Sequence, residues 1–305
     1  MRVLVTGAAG LLGSKLLGAL IARDVDVHAA VHRLQPPARD GVTWHALDVT
    51  DQRAVTAALA ASRPAVVIHA AAMADVDACE REPERAEAVN ARGTAHVADA
   101  CASLGARLIY VSTDYVFDGE AGPYREDDPP QPLSVYGRTK LAGEQAAAAL
   151  PNAAICRTAV LFGANPGGRS NLVLWLLERL RRGEPAPAAV DQVGNPTWAD
   201  NLAEMLAALT LAECRGVYHV AGATIIDRFG FCRLVAEVFG YDPALVQPIV
   251  SASIPRPARR PRHAGLLVER FQRDVPSVAP LTAREALVRL RAQLVGRASS
   301  EAGRA

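Results

Sequence analysis

The sequence lacks an excess of charge of one sign, closely paired cysteines and any long apolar run. Its 305 residues carry 33 basic and 32 acidic side chains, so no overall field favours nucleic acid or an anionic membrane. The five cysteines are scattered and form no Cys-x-x-Cys pair, which argues against a metal site and for a reducing compartment. No apolar stretch is long enough to span a bilayer, and the first residues resemble a strand rather than a signal peptide. We therefore expect a cytoplasmic protein without metal, nucleic-acid or membrane partners.

Half of the residues are hydrophobic, enough for one large domain or a domain with an attached lobe. In residues 1–163, short β-branched runs alternate with helical patterns, which predicts a doubly wound parallel α/β (Rossmann) sheet. The pattern then becomes irregular, and we predict a smaller α/β substrate-binding lobe over 164–295, interleaved with the last sheet elements. Residues 296–305 have low complexity and are predicted to be a frayed tail. Exposed helices on such a sheet commonly pair, so a homodimer is compatible with the pattern.

A glycine-rich turn follows the first predicted strand and precedes a helical pattern. Glycines at this spacing allow a tight turn, let a diphosphate approach the backbone and bring it to the N-terminus of the helix. A purely structural turn is the alternative. We predict a dinucleotide-binding site formed by Gly7, Gly10, Leu11, Leu12 and Gly13.

The second predicted strand ends in His32 and Arg33, where a cofactor with a free ribose 2′-hydroxyl usually meets a carboxylate. A guanidinium suits a 2′-phosphate, so the sequence favours NADP(H) over NAD(H), although a solvated arginine is the alternative. Asp48 and Val49 follow the third strand and are predicted at the adenine; helix capping competes as an interpretation. The predicted cofactor set also includes Ala70, Ala71, Ala72 and Arg157, which follow or end later strands.

Tyr136 and Lys140 are four residues apart, so on a helix capped by Ser134 both side chains leave the same face. An ammonium beside a phenol favours the phenolate, which suits a proton donor or acceptor. An amphipathic helix with an exposed tyrosine and lysine is the alternative. The preceding strand favours chemistry, because it ends in the hydroxyls of Ser112 and Thr113 at the edge where α/β sheets bind ligands.

These motifs together resemble the dTDP-4-dehydrorhamnose reductase family, in the extended branch of the short-chain dehydrogenases/reductases. The similar segments are Val111 to Gly119, Tyr136 to Glu144, Asp191 to Thr197 and the loop Arg260 to Leu266. The resemblance implies an NADPH-dependent oxidoreductase that reduces the keto group of a nucleotide-linked 4-keto-6-deoxysugar. It also implies a catalytic set of Thr113, Tyr136 and Lys140, with Asn90 as a further member; Asn90 either joins a water relay or only bridges helices.

Two residues separate the chain from other branches of that superfamily. Sugar 4,6-dehydratases carry a glutamate at the position of Tyr115. Epimerase/reductases similar to GDP-fucose synthase carry a cysteine at the position of Asp114. This chain therefore lacks the glutamate that moves a proton during elimination of water. It also lacks the cysteine that exchanges a proton at carbon. Simple ketone reduction is the reaction that remains.

The chain departs from the family on the predicted substrate side. Ala159 and Val160 replace a serine and a tryptophan, and Ala74 replaces a threonine. The predicted substrate contacts are Ala74, Asp75, Val76, Asp114, Tyr115, Ala159 and Arg260. Arg260 belongs to a basic loop for which solvated charge, a substrate phosphate and nucleic acid compete as interpretations. Two alternatives therefore stay open: a reductase of a non-sugar ketone, and a non-catalytic subunit similar to the regulatory subunit of methionine adenosyltransferase.

Overall fold

The computed structural model describes residues 1–32, 39–164 and 170–302. The strands are β1 (Arg2–Thr6), β2 (Asp26–Val31), β3 (Val42–Ala46), β4 (Val66–His69), β5 (Arg107–Thr113), β6 (Ala154–Thr158), β7 (Leu161–Phe162), β8 (Ala186–Ala189), β9 (Val193–Gly194), β10 (Thr197–Trp198), β11 (Gly216–His219), β12 (Ile226–Asp227) and β13 (Val246–Ile249). The helices are α1 (Leu11–Ile21), α2 (Gln52–Ser62), α3 (Val76–Arg81), α4 (Pro83–Ala86), α5 (Gly93–Leu104), α6 (Val135–Ala148), α7 (Leu172–Arg181), α8 (Ala199–Leu211), α9 (Arg228–Phe239), α10 (Glu269–Asp274) and α11 (Ala283–Ala302).

Seven of the strands form one central sheet in the order β11-β6-β5-β4-β1-β2-β3, and every pair in it is parallel. The chain starts in the middle at β1, continues outward to β3, and then crosses to β4 and the other half. This reversal leaves a crevice at the carboxyl ends of β1 and β4, which is where ligands of open α/β sheets bind. The predicted doubly wound parallel sheet is confirmed.

Helices cover both faces of the sheet, which explains why its strands are apolar along their whole length. On one face, Leu16 of α1 and Leu206 of α8 belong to the same buried cluster as the strand residues. On the other face, Leu59 of α2 and Val97 of α5 are fully buried against the sheet. The sheet is therefore a rigid base for whatever lies at its carboxyl edge.

Residues after 163 build a second hydrophobic cluster, with Leu176 of α7, Val235 of α9 and Leu287 of α11 at its centre. The same half of the chain returns β11 to the main sheet beside β6. The lobe is thus interleaved with the sheet, and a boundary at 163 stays a prediction. Helix α11 continues to Ala302, into the segment predicted as a frayed tail. In the ranges described, no helix combines the length and apolarity that a membrane crossing needs.

The sequence pattern predicts one long helix from Ala86 to Leu104, but the structure interrupts it. Helix α4 ends at Ala86, residues Glu87–Arg92 form a π-helical turn, and α5 begins at Gly93. A π-helical turn inserts an extra residue and so redirects the side chains around it, often at functional sites. Asn90 lies in this turn and is buried.

Candidate active site

The glycine-rich turn after β1 is shaped by close contacts that side chains would not permit. Gly7 has a φ of +66°, and a Cβ atom there would lie 2.7 Å from the backbone nitrogen of Ala71. Helix α1 follows with Gly10 as its N-cap, and no side chain accepts a hydrogen bond from its first turn. The amides of that turn, which include Leu11, Leu12 and Gly13, therefore suit an external anionic acceptor such as a diphosphate.

The ends of β2 and β3 bring His32 and Asp48 together, with His32 Nε2 3.3 Å from Asp48 Oδ2. The Asp48 carboxylate also accepts hydrogen bonds from the backbone and the hydroxyl of Thr50. Val49 is buried against the sheet, and helix α2 is capped by Asp51. Arg33, on which the preference for NADP(H) rests, lies outside the described residues.

Ala70, Ala71 and Ala72 lie at the carboxyl end of β4, and the first two are half-buried. Beneath them is a polar contact that the sequence reasoning missed. Thr6 Oγ1 lies 2.7 Å from His69 Nδ1, and Thr6 Oγ1 also accepts a hydrogen bond from the Ala71 amide at 3.2 Å. Burial, followed by the Lys140 charge, lowers the pKa of His69 to about 3, so this histidine is a neutral bridge between two strand ends. A histidine within an apolar strand was the available signal.

Thr113, Tyr136 and Lys140, which we call the catalytic floor, converge at the carboxyl end of β5. Ser134 caps α6 by accepting a hydrogen bond from the Gly137 amide, as predicted, and so sets where the helix starts. Tyr136 and Lys140 then lie one turn apart on the same helix. The ring of Tyr136 meets Tyr115 edge to face, with 5.7 Å between centroids.

Burial controls the protonation of the catalytic floor. It raises the pKa of the Tyr136 phenol above its usual value, while the Thr113 hydroxyl acts in the opposite direction. Lys140 is 2% exposed, and burial lowers its pKa to about 7, with Glu144 partly offsetting that effect. Its Nζ donates to the Val111 carbonyl at 2.7 Å. An ammonium so placed can change its charge near neutral pH.

Asn90, predicted as a fourth catalytic residue, is bound to the backbone of another loop. Its Oδ1 accepts from the Met73 amide at 2.8 Å, and its Nδ2 donates to the Met73 carbonyl and to Thr139 Oγ1. These bonds fix the segment after β4 against α6. Asn90 thus connects the segment after β4 with α6, the helix that carries Tyr136 and Lys140.

A second set of side chains lies beside the catalytic floor, and we call it the substrate wall: Val160, Gln192, Arg228 and Arg256. The first three line a cleft together with Asp114 and Tyr115. Arg256 acts electrostatically on the Tyr115 hydroxyl, as does Arg228. Asp114 is 4% exposed, and burial raises the pKa of its carboxyl to about 7. The cleft can therefore offer both a carboxylic acid and cations to a ligand.

Two predicted substrate contacts, Ala74 and Asp75, are exposed at the end of the segment after β4. Asp75 caps α3, with its Oδ1 accepting from the Ala78 amide at 2.8 Å, and Val76 begins that helix. Ala159, another predicted substrate contact, is buried in this structure. Its side chain is 2% exposed and packs in a hydrophobic cluster with Phe117 and Leu266. The next residue, Val160, reaches the cleft because its backbone is in the left-handed region, at a φ of +44°.

Two arginines predicted to bind ligands each form an ion pair with a carboxylate. Arg260 makes a bidentate pair with Asp77, at 3.0 and 2.8 Å. Arg157 makes a buried bidentate pair with Glu144, at 3.0 and 2.8 Å. The sequence gives no signal for pairing between residues on separate elements.

By contrast, Arg228 and Arg256 have no carboxylate within ion-pair distance in the described part of the chain.

The described residues hold no cluster of three or more His, Cys, Asp or Glu side chains that could bind a metal ion. A groove of about 530 Å³, lined by Arg125, Glu126 and Arg270, lies elsewhere and contains no residue of the catalytic floor. The smaller cleft is lined by Asp114 and Tyr115, which directly follow Thr113 in the chain, so it is the candidate substrate site.

Comparisons with known proteins identify the family of this chain. The model of the family described as the RmlD substrate binding domain matches residues 1–295. A dTDP-4-dehydrorhamnose reductase of Streptomyces griseus is 44% identical over 283 residues, covering 89% of this chain and 87% of the relative. One of Mycobacterium tuberculosis is 42% identical over 273 residues, covering 87% of this chain and 84% of the relative. The crystal structure of the Bacillus anthracis dTDP-4-dehydrorhamnose reductase in complex with NADP superposes with a TM-score of 0.82 at 29% identity, covering 96% of this chain and 99% of that one.

Proposed function

The chain belongs to the family described as the RmlD substrate binding domain, and we propose that it reduces the 4-keto group of a dTDP-linked 6-deoxysugar. It is an NAD(P)-dependent oxidoreductase, a ketoreductase of sugar nucleotides. The observation that carries the proposal is the convergence of Thr113, Tyr136 and Lys140 at the carboxyl end of β5, on the same edge of the parallel sheet as the glycine turn after β1. That arrangement puts a proton donor next to the edge of the sheet where a dinucleotide fits.

In this proposal Tyr136 donates its phenolic proton to the oxygen of the ketone as negative charge develops there. Thr113 donates a hydrogen bond to the same oxygen, because its hydroxyl lies at the end of β5 beside the phenol. Lys140 binds the ribose hydroxyls of the cofactor, and its charge eases the ionisation of Tyr136. NADPH, when bound, supplies the hydride.

The cofactor is NADP(H), as in the relative from Bacillus anthracis. Its diphosphate fits the turn Gly7 to Gly13, where α1 starts with no side-chain cap. We assign the 2′-phosphate to the carboxyl end of β2, where His32 lies and Arg33 follows in the sequence. An NADPH-to-NADH affinity ratio near one would contradict that assignment.

We assign the diphosphate of the sugar nucleotide to Arg228 and Arg256. Both act on the Tyr115 hydroxyl beside the catalytic floor, and neither is neutralised by a carboxylate in the ranges described. Arg260 supports the same loop through Asp77. A doubly charged diphosphate suits two guanidinium groups that are not otherwise paired.

The test is NADPH consumption over a panel of dTDP-, UDP- and GDP-linked 4-keto sugars. We expect turnover with a dTDP-linked 4-keto-6-deoxysugar, and we expect Tyr136→Phe to reduce kcat at least about a hundredfold, because the ring stays but its proton is lost. If Tyr136→Phe turns the substrate over as fast as wild type, the proposed mechanism is wrong. Turnover of a simple non-sugar ketone alone would instead favour the broader reductase alternative.

A non-catalytic regulatory subunit is the less favoured alternative, because Thr113, Tyr136 and Lys140 are all present together. Co-purification with a synthetase, without NADPH oxidation on any sugar nucleotide, would support it. A cytoplasmic location and a homodimer belong to the same proposal. Light scattering of the purified chain tests the dimer directly.

A further inference from the structure

Lysine is almost absent from this chain. Lys15 and Lys140 are its two lysines, and the other Lys or Arg positions are all arginines. An arginine keeps its charge at any physiological pH, whereas a lysine can lose its charge when it is buried. Lys15 Nζ lies 3.0 Å from the Asp200 carboxylate. Lys140 has no carboxylate that close among the described residues.

Several titratable or charged groups surround the end of the Lys140 side chain. His69 faces it from β4 and Tyr110 from β5, with Lys140 Nζ 4.1 Å from the centre of the Tyr110 ring. On its own helix are Tyr136 and Glu144. Cys79 of α3 and Asp114 after β5 act on Tyr136, and Arg157 of β6 lies behind Glu144.

Glu144 is the anion that acts on Lys140. His69 is neutral at neutral pH, because burial and Lys140 lower its pKa to about 3. The phenols of Tyr110 and Tyr136 keep their protons, because burial raises the pKa of both. Asn90 and Thr139 carry no charge. Burial lowers the pKa of Lys140, and the Glu144 carboxylate acts against that effect.

Glu144 is held in place by side chains of the two neighbouring strands. Ser112 Oγ donates to Glu144 Oε1 at 2.5 Å, and Arg157 donates through Nε and Nη2 at 3.0 and 2.8 Å. Glu144 and Arg157 are each 4% exposed. Ser112 follows Val111, whose carbonyl accepts from Lys140 Nζ. One segment of β5 thus fixes both the ammonium and the carboxylate.

We propose that Glu144 and Arg157 are positioning residues that set the charge of Lys140. The carboxylate stabilises the ammonium from one helical turn away, and the guanidinium limits that effect by neutralising the carboxylate from its other side. The inference rests on the proposed function only for the role of Lys140 towards the cofactor and Tyr136. In this inference a buried ion pair adjusts the pH range in which the buried lysine is charged, without the cofactor.

The test uses protein labelled with ¹³C at the ε-carbon of lysine and free of cofactor and substrate. The spectrum contains one signal from each of two lysines, and Lys140→Arg assigns them. We expect Glu144→Gln to move the titration midpoint of Lys140 to lower pH by at least about one pH unit, because an opposite charge is lost at short range. The Lys15 signal should not move and serves as the internal reference.

Two further variants separate charge from structure. Arg157→Met should move the Lys140 midpoint to higher pH, because the carboxylate is no longer neutralised. Glu178→Gln, the same substitution at an exposed glutamate paired with Arg182, should leave it unchanged. If Glu144→Gln does not fold, the double variant Glu144→Gln with Arg157→Met removes both buried charges, and its midpoint should still lie below that of wild type. An unchanged Lys140 midpoint in the two variants that contain Glu144→Gln, or a downward shift in Arg157→Met, would overturn the inference.

A second readout connects the pair to catalysis. The high-pH limb of kcat/KM should move in the same direction as the Lys140 midpoint in each variant, while a purely structural role would lower activity at every pH alike. If wild-type protein oxidises no NADPH with any keto sugar, the proposed function fails. The lysine titration would still decide the inference about Glu144 and Arg157.

Discussion

The catalytic floor and the substrate wall lie side by side but are built differently. Thr113 ends a central strand, and Tyr136 and Lys140 share one capped helix. In the wall, Val160 has a left-handed backbone at a φ of +44°, and Arg256 lies on an irregular loop. In the proposed function, the residues of the chemistry lie on elements with repeating geometry, whereas those of recognition lie on irregular segments, which tolerate change without disturbing the core.

The same division appears in the sequence resemblance. The residues of the floor match the family motifs, whereas the departures at Ala74, Ala159 and Val160 lie on the predicted substrate side. A substitution in the floor should therefore affect chemistry, and one in the wall should affect recognition. Three variants test how far this separation holds, and they are given from the largest expected effect to the smallest.

Asp114 lies where the floor meets the wall, and its burial should make stability depend on pH. The pKa of its carboxyl is raised to about 7 from the ordinary value of 3.8. Between those values the folded chain keeps a proton that the unfolded chain has lost, so the free energy of unfolding falls as the pH rises through that window. Asp114→Asn should remove this slope and be more stable than wild type at pH 8, by on the order of a few kcal/mol.

Urea unfolding of the ligand-free protein at pH values from 4.5 to 8 would measure this effect. Asp75→Asn is the matched control, because Asp75 is an exposed helix cap and asparagine also caps helices. That variant should keep the wild-type slope. If Asp114→Asn keeps it as well, the carboxyl is not the buried acid described above.

Arg260→Met should weaken recognition and spare chemistry. The pair with Asp77 ties the basic loop to α3, and its loss should let Arg256 move away from the substrate. We expect the KM for the sugar nucleotide to rise about tenfold, with kcat within about twofold of wild type. Steady-state kinetics with Arg182→Met, an exposed helix arginine, as the control would check this. A drop in kcat like that of Tyr136→Phe would break the distinction between floor and wall.

Val160→Gly should have the smallest effect on stability. A left-handed backbone costs an L-residue about 1–2 kcal/mol, and glycine removes that cost while losing side-chain contacts and increasing the entropy of the unfolded chain. We expect the free energy of unfolding to change by less than about 1 kcal/mol. Val67→Gly, in fully buried β4, should cost about 3 kcal/mol or more. Equal losses for both variants would show that Val160 is not strained.

Much of the catalytic floor could be predicted, because its signals are local. The glycine spacing, the Ser134 cap and the interval from Tyr136 to Lys140 each follow from backbone geometry over one or two turns. The order of strands and helices likewise predicts a parallel sheet with a ligand crevice at its carboxyl edge. These features depend on neighbours in the sequence, so the sequence reveals them.

The partners of the charged side chains could not be predicted in this way. The fold brings Glu144 against Arg157 and Asp77 against Arg260. The π-helical turn holds Asn90 against Met73. Ala159 is buried in a hydrophobic cluster, while Val160 lines the cleft. Each outcome depends on contacts between separate elements.

The sequence by itself predicted the kind of chemistry: a dinucleotide whose diphosphate binds at the glycine turn, and a proton donor at Tyr136. Only the tertiary structure decided the charge of Lys140. The pKa of this lysine depends on how deeply the fold buries it and on Glu144 one helical turn away. Only the structure, too, showed which arginines form ion pairs within the described residues. Burial and ion pairing are properties of the assembled elements, and no spacing along the chain specifies them.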